Sequence, residues 1–302
     1  MAVITSGAHP KALWPGIQAW FGRKYNEYPT QWTDLFDMET SDKMYEEDVE
    51  ITGFGLAAVK AEGAATTYDT EAQGFTKRYT HVVYSLGYIV TKEELEDNLY
   101  EVVSKRRSQA LAFSFRQTKE INLANVYNRA FTSTYTGGDG KELLATDHPS
   151  LAGNWSNELA TPADLSEASI EDLVIQIMGA TNSRGLRIAL QPQSLHVHRH
   201  NWFEANRILK SVLQNDTANN AINVLRAEGT FPKGIKVNQY FDDADAWFVR
   251  TNCPNGMKYL ERRAMSFTTD NDFDTSNAKA KADERYSAGW TDPRALYGSD
   301  GA

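Results

Sequence analysis

The chain has 302 residues, with 31 Lys and Arg against 40 Asp and Glu, a formal net charge of −9 at neutral pH. A chain that acidic lacks the basic excess on which nucleic-acid affinity rests, and with a mean hydropathy of −0.52 it holds no window near the ~18 apolar residues that a spanning helix needs. Its single cysteine, Cys253, excludes an intramolecular disulfide and a cysteine-built zinc site, and Met1–Pro10 lacks the basic and apolar regions of a signal peptide, so the expected compartment is the cytosol.

The first fifty residues are aromatic without a period: Trp14, Trp20, Phe21, Tyr25, Tyr28, Trp32 and Phe36, interrupted by Pro10, Pro15 and Pro29. A segment of that kind cannot build its own core, and the aromatic content is unlike a disordered leader. It reads as an extended arm lying across other surfaces, dispensable for the fold of the subunit. From Glu50 to Val90 the signals are β. Strands are predicted at 51–59 and 75–84, joined by the small, polar stretch from Glu62 to Gly74, which is far longer than a tight turn. A hairpin so built has little to bury alone and must lean on something else.

Thr91 and Glu94 form a T-x-x-E capping box, and Leu95, Leu99, Val102, Ala110, Phe113, Ile121, Ala124 and Phe131 follow at helical spacing. With no Pro or Gly from Lys92 to Phe131, one long helix is predicted over 92–131, spanning about 60 Å. Thr136–Gly140 ends it, and a polar loop runs on to Asp164. A second helix is predicted over 166–179, with Ile170, Leu173, Val174 and Ile177 on one face. An apolar run at 186–190, a helix near 202–213, and strands at 235–241, 246–251, 257–268 and 278–289 complete the chain. Helices set among strands without βαβ alternation read as α+β.

The motifs that might carry chemistry are weak. His196, His198 and His200 would share one face of a strand, and three imidazoles could hold a catalytic metal. No H-E-x-x-H and no placed carboxylate base accompany them, so they are weak metal candidates only. Asp270–Asp274 begins like an EF-hand loop, but Thr275 stands where Gly is required and Lys281 where Glu is required. Gly137–Lys141 follows a helix and lacks the Ser or Thr of a phosphate loop. Asp147, His148 and Ser150 are triad residue types without triad geometry, and Cys253 reads as a buried thiol. No catalytic residue, cofactor site or enzymatic activity is expected.

The order of elements, together with four segments, resembles the major capsid protein of tailed bacteriophages, and within it the Mu-like major head subunits. The segments are Leu86-Gly-Tyr-Ile-Val-Thr-Lys-Glu-Glu-Leu-Glu-Asp-Asn98, Gly140-Lys-Glu-Leu-Leu-Ala-Thr-Asp-His-Pro149, Asp245-Ala-Trp-Phe-Val-Arg-Thr-Asn252 and Arg285-Tyr-Ser-Ala-Gly-Trp-Thr-Asp-Pro-Arg-Ala-Leu-Tyr-Gly298. The resemblance implies a Hong Kong-type capsid fold. Its parts would be an N-terminal arm (1–49), an extended β-hairpin loop (50–90), a peripheral domain (91–163) with the spine helix 92–131, an axial domain (164–255), and peripheral return strands (256–302). It implies a structural subunit forming hexamers and pentamers of an icosahedral shell, assembled in the host cytoplasm and kept in the virion. Packaged double-stranded DNA would be enclosed without sequence-specific binding and without any membrane. Expected partners are further copies of the chain, a portal protein, a separate scaffolding protein, since no long charged helical region precedes the arm, and a decoration protein. Assembly contacts are expected at Trp14, Trp20, Phe21, Trp32, Lys60, Tyr68 and Phe75, with no covalent cross-linking through Lys60. An encapsulin-like nanocompartment shell would share the fold, and a metalloenzyme built on the histidines is the alternative from another class.

Overall fold

The structure is a computed structural model and describes residues 21–96, 100–214, 221–272 and 274–302. Two four-stranded sheets and one hairpin organise the described residues. The first sheet has the order β1 (Asp37–Thr40), β8 (Met257–Asn271), β9 (Ala278–Trp290), β4 (Val82–Val90). Its β8 and β9 are long antiparallel partners, β4 runs antiparallel to β9, and β1 runs parallel to β8. Strand β9 reads Ala-Lys-Ala-Lys-Ala, and alternate residues Ala278, Ala280, Ala282, Glu284 and Tyr286 are buried. That is the period of two expected when one face packs and the other is solvated.

The second sheet has the order β10 (Leu296–Ser299), β7 (Trp247–Thr251), β5 (Pro192–His198), β6 (Ile235–Asn238). Residues 296–299 pair antiparallel with β7 and close the second sheet. The apolar run 186–190 forms no strand; only an isolated bridge joins Thr181 to Arg187. The hairpin is β2 (Tyr45–Ile51) against β3 (Gln73–Thr80). The predicted 51–59 strand is therefore displaced to 45–51, and the predicted 75–84 strand splits at His81, its second part joining the first sheet as β4. His81 is buried at the split, with Nε2 3.0 Å from Ser41 Oγ and Nδ1 3.0 Å from Ser287 Oγ.

The long helix differs from expectation in extent and in face. Helix α1 (Lys92–Glu96) and helix α2 (Tyr100–Asn128) are separate. Arg107 donates to both carboxylate oxygens of Glu94, at 3.0 and 2.8 Å. In one straight helix those residues would stand about 20 Å apart along the axis, beyond the reach of the two side chains. Residues 97–99 of the predicted helix lie outside the described residues. The other end stops at Asn128, whose side-chain amide donates to Tyr240 O and to Asp242.

The buried stripe of α2 is Ser108, Leu111, Ala112, Phe115, Arg116, Lys119, Glu120, Leu123, Ala124 and Tyr127. That is a clean i, i+3, i+4 pattern, but it carries three charges. Ala110, Phe113 and Ile121, from the predicted apolar stripe, face outward. The charges are buried because each has a partner. Lys119 lies 3.3 Å from Glu284 and faces the rings of Trp32, Tyr259 and Tyr286 at 4.8, 5.0 and 5.3 Å. Arg116 reaches Glu120 at 3.3 Å and donates to Tyr25 O.

Helix α3 (Glu167–Met178) starts at Ser166, whose hydroxyl accepts from Ser169 N–H while Ser169 returns the favour to Ser166 N–H. Its predicted face, Ile170, Leu173, Val174 and Ile177, is buried. Helix α4 (Trp202–Lys210) and the single turn α5 (Val224–Ala227) lie beside the second sheet. One core joins the two sheets, running from Trp32, Leu35 and Phe36 through Tyr127 to Trp247, Tyr259 and Trp290. No helix among the described residues is long and apolar enough to cross a membrane.

Candidate assembly interface

The hairpin is fixed at its root and bare at its tip. At the root, Asp48 accepts from Lys258 Nζ at 2.8 Å and from Thr291 Oγ1 at 2.7 Å, and Tyr79 Oη lies 2.7 Å from the same Thr291. Burial pushes the Asp48 carboxyl up, but the Lys258 and Thr291 hydrogen bonds outweigh it and leave the group below its ordinary range. Lys77 donates to Thr136 O at 2.9 Å and covers the Trp290 ring at 4.8 Å, and burial lowers its pKa against the opposing pull of Asp139. Along the arms, Arg78 pairs with Glu47 at 2.7 Å. A cavity of about 270 Å³ opens beside the root, lined among others by Phe75, Lys77, Trp155, Asn255 and Asp292.

Beyond Thr52, which exchanges hydrogen bonds with Ala72, the pairing stops. Residues 53–71 form an extended tip with a single turn at Gly63, where φ is +76°. Asp69 closes it by accepting from Gly55 N–H and Thr70 N–H, which hold its carboxyl below the usual range. Arg184 donates to Thr70 O and lies 3.6 Å from Asp69, and Ser183 donates to Glu50, so one edge of the tip rests on the loop before β5. Residues 54–71 are exposed. Phe54, Leu56, Val59 and Tyr68 are exposed, Val59 fully and Tyr68 at 91%. Burying four such side chains is worth roughly 1.5–3 kcal/mol each, before the ordering cost of binding. Among the described residues nothing takes up that apolar surface. A second feature is the outer edge of β4, which among the described residues pairs only with β9 and exposes Val82, Val83, Leu86 and Ile89. A nine-residue apolar edge strand is a template for another chain.

The expected assembly contacts separate into three groups. Tyr68, Phe75 and Lys60 are exposed on the hairpin. Phe21 and Trp32 are not available: Phe21 packs against Leu111, Phe115 and Ala282, and Trp32 stacks against Tyr259 at 4.6 Å in the main core. Trp14 and Trp20 lie outside the described residues. The arm is thus corrected from residue 21 onward. Glu120 accepts from Gln31 and Trp32 N–H at 3.0 and 2.9 Å, Arg250 donates to Asp34 O and Asp37, and β1 is a member of the first sheet. The sequence reading missed Phe54, Leu56 and Val59, which have no helical or strand period; their presence between glycines and alanines was the available signal.

The histidines do not present one face to a ligand. His196 is wholly buried on β5, its Nε2 2.8 Å from Ser194 Oγ and its ring 5.9 Å from Tyr127. Burial, then Arg250, Lys236 and Lys233, push its pKa down to about 3. His198 is also buried, and its Nδ1 accepts from His200 N–H, while His200 is exposed in the following turn. Among the described residues no group of three or more His, Cys, Asp or Glu is placed to hold a metal ion. His148 is tied to Asp139 at 2.6 Å and to Asn157 Oδ1 at 3.0 Å, with no role for Ser150, whose hydroxyl donates to Gly153 O. In the acidic turn, Asp272 pairs with Lys279 at 2.9 Å. The Cys253 thiol is buried and its pKa is raised, by burial first and then by Asp292.

Comparison with known proteins gives a family match and a set of structural likenesses. The family model described as phage capsid protein matches residues 74–299. The fold is similar to a virus-like particle from Pyrococcus furiosus, with a TM-score of 0.55 and 10% identity over 94% of this chain and 98% of that one. It is similar to Mycobacterium phage Che8, with a TM-score of 0.52 and 13% identity over 89% and 90%. The capsid of a native GTA particle aligns with a TM-score of 0.55 and 12% identity over 91% and 92%. No curated protein sequence matches the chain.

Proposed function

The chain belongs to the phage capsid protein family and is a major capsid protein, the structural subunit of a phage head; from that premise we infer that the hairpin is the element by which one copy grips the next. The observation that supports this reading is the tip, where Phe54, Leu56, Val59 and Tyr68 are exposed with no surface among the described residues to cover them. A clamped root and a bare tip suit an element that reaches a neighbour without losing its own position. Tyr68, Phe75 and Lys60 on the hairpin and the Val82–Val90 edge are the proposed contact residues.

In this reading the copies close into hexamers and pentamers through head-to-tail contacts, in which one surface meets a different surface next door. The first sheet with α2 is the peripheral domain and the second sheet with α3 and α4 the axial domain. The shell encloses double-stranded DNA without reading its sequence, consistent with the net charge of −9. Portal, scaffolding and decoration proteins are its proposed partners, and the host cytoplasm its place of assembly. Its nearest kin within the family are proposed to be Mu-like head subunits, on the four shared segments. We propose no catalytic role. The family match favours the phage head over a nanocompartment shell, and the separation of His196 from His200 disfavours the metalloenzyme.

The test replaces residues 56–67 by a short Gly-Ser linker, which leaves Gly55, Asp69 and Thr70 in place. The expected result is a subunit with unchanged thermal unfolding that no longer forms shells by negative-stain electron microscopy. Normal shells from that variant would remove the hairpin from the account.

A further inference from the structure

Helix α4 divides the outer surface of the second-sheet unit into two ends of opposite character. At its start, Trp202 and Phe203 are exposed side by side, with ring centroids 4.9 Å apart. Asn201, just before the helix, donates to Ala244 O at 2.8 Å, which brings the turn bearing Asp242, Asp243 and Asp245 to that same end. All three aspartates are exposed and none is in an ion pair among the described residues, although Arg199 lies nearby. At the other end of the nine-residue helix, about 13 Å away, stands exposed Lys210, and α5, tied to the helix through Asn223 and Ile208 O, carries exposed Arg226. Neither has an ion-pair partner among the described residues, whereas Arg207 is taken by Glu204 at 2.6 Å. Around these two cations Val212, Leu213, Ile222 and Val224 are exposed. They are not a loose strand: Leu213 bridges Ile222, and the buried Asn223 donates to Ile208 O and accepts from Arg226 N–H.

One end is therefore aromatic and acidic, the other aliphatic and basic, and both are built on held backbone. A surface that repelled copies of itself would need no such division. A ring of identical copies in head-to-tail contact requires two different, mutually fitting surfaces on each copy. We propose that the aliphatic, basic end around Lys210, Arg226, Leu213 and Ile222 docks on the aromatic, acidic end around Trp202, Phe203, Asp243 and Asp245 of the next copy in the same ring. The occupant of each end is a second copy of this chain. The apolar side chains supply the desolvated centre and the opposite charges its rim, which sets which end meets which. The inference rests on the shell-subunit reading and names a surface that the hairpin does not use.

Charge reversal tests it on the full chain. Lys210→Glu with Arg226→Glu places like charges across the contact, and shell yield should fall at least about tenfold with thermal unfolding of the free subunit unchanged. Asp243→Lys with Asp245→Lys should do the same. All four changes together invert both ends, restore opposite charges in every contact and should return shells. Normal shell yield from either pair, or no recovery in a folded fourfold variant, overturns the proposal while leaving the shell reading intact; absence of shells from the unaltered chain overturns the shell reading instead. If a reversed chain fails to fold, Phe203→Cys with Leu213→Cys decides. A ladder of disulfide-linked copies from oxidised shells on a non-reducing gel supports the contact, and monomer alone refutes it.

Discussion

Removing residues 1–32 separates an arm from a core segment most sharply. An arm lying on neighbours could be cut away and leave a folded subunit, but Trp32 is 6% exposed and lies against Tyr259 and Lys119. A buried Trp side chain removes ~150–250 Å² from water, which at ~25 cal/mol per Å² is about 4–6 kcal/mol as an upper bound. Trp→Ala changes in cores cost about 3–5 kcal/mol. The cut also removes the Gln31 and Trp32 amides from Glu120, which is 1% exposed. That leaves its buried carboxylate with Arg116 alone, and each hydrogen bond lost from a charged group costs about 1.5–3 kcal/mol. Phe21 and the Tyr25 carbonyl that receives Arg116 go as well. Against a total stability of about 5–15 kcal/mol, the loss is most or all of it. A chain beginning at Phe21 is the reference, since it keeps every contact just named. Urea unfolding followed by circular dichroism should give a cooperative transition for that reference and none for a chain beginning at Thr33. Trp32→Ala in the full chain should lose about 3–5 kcal/mol, or about 10 °C in melting temperature. Equal midpoints for the two truncations would refute the argument and restore the arm.

Further outcomes follow for Glu158, Asn157, His200 and His196. Glu158 has its carboxyl raised to about 7 by burial, then by Asp300 and Glu142; a raised acid favours the fold when protonated, and that contribution fades as pH rises from about 4.5 through 7. Glu158→Gln should therefore melt higher than the unaltered chain at pH 8, with the difference gone at pH 4.5; the same melting temperature at pH 8 would contradict it. Asn157 donates to the carbonyls of Leu143, Pro293 and Leu296 and accepts from Ala145 N–H and His148, all out of water, so Asn157→Ala should cost about 3 kcal/mol or more in urea unfolding. His200→Gln should change stability by less than about 0.5 kcal/mol. His196→Gln should destabilise clearly, and the His196 contribution, from a base held at about 3, is present above pH 6.5 and lost as pH falls toward 3.

What the sequence disclosed depended on whether burial followed apolarity. Helix α3 was readable because Ile170, Leu173, Val174 and Ile177 are both apolar and inward. Strands β8 and β9 were readable from their alternation. Helix α2 was readable as a helix, but its inward face was not, because Arg116, Lys119 and Glu120 occupy it and find their partners on Tyr25, Glu284 and Gln31, far off in sequence. Trp32 looked like arm because the surface it packs on comes from Tyr259, more than two hundred residues later. The site divides the same way: the exposure of Tyr68 on the hairpin's small, polar tip was legible. The clamp of Asp48 on Lys258 and Thr291, and the rest of the tip on Ser183 and Arg184, were not.

The most direct measurement is a cryo-electron microscopy map of the shells formed by the unaltered chain, at a resolution that shows side chains. The account predicts that Phe54, Leu56, Val59 and Tyr68 of every copy are buried against a neighbouring copy, while Trp32 keeps its place beside Tyr259 of its own chain. A map with the hairpin tip standing free in solvent, or Trp32 inserted into a neighbour, would contradict it.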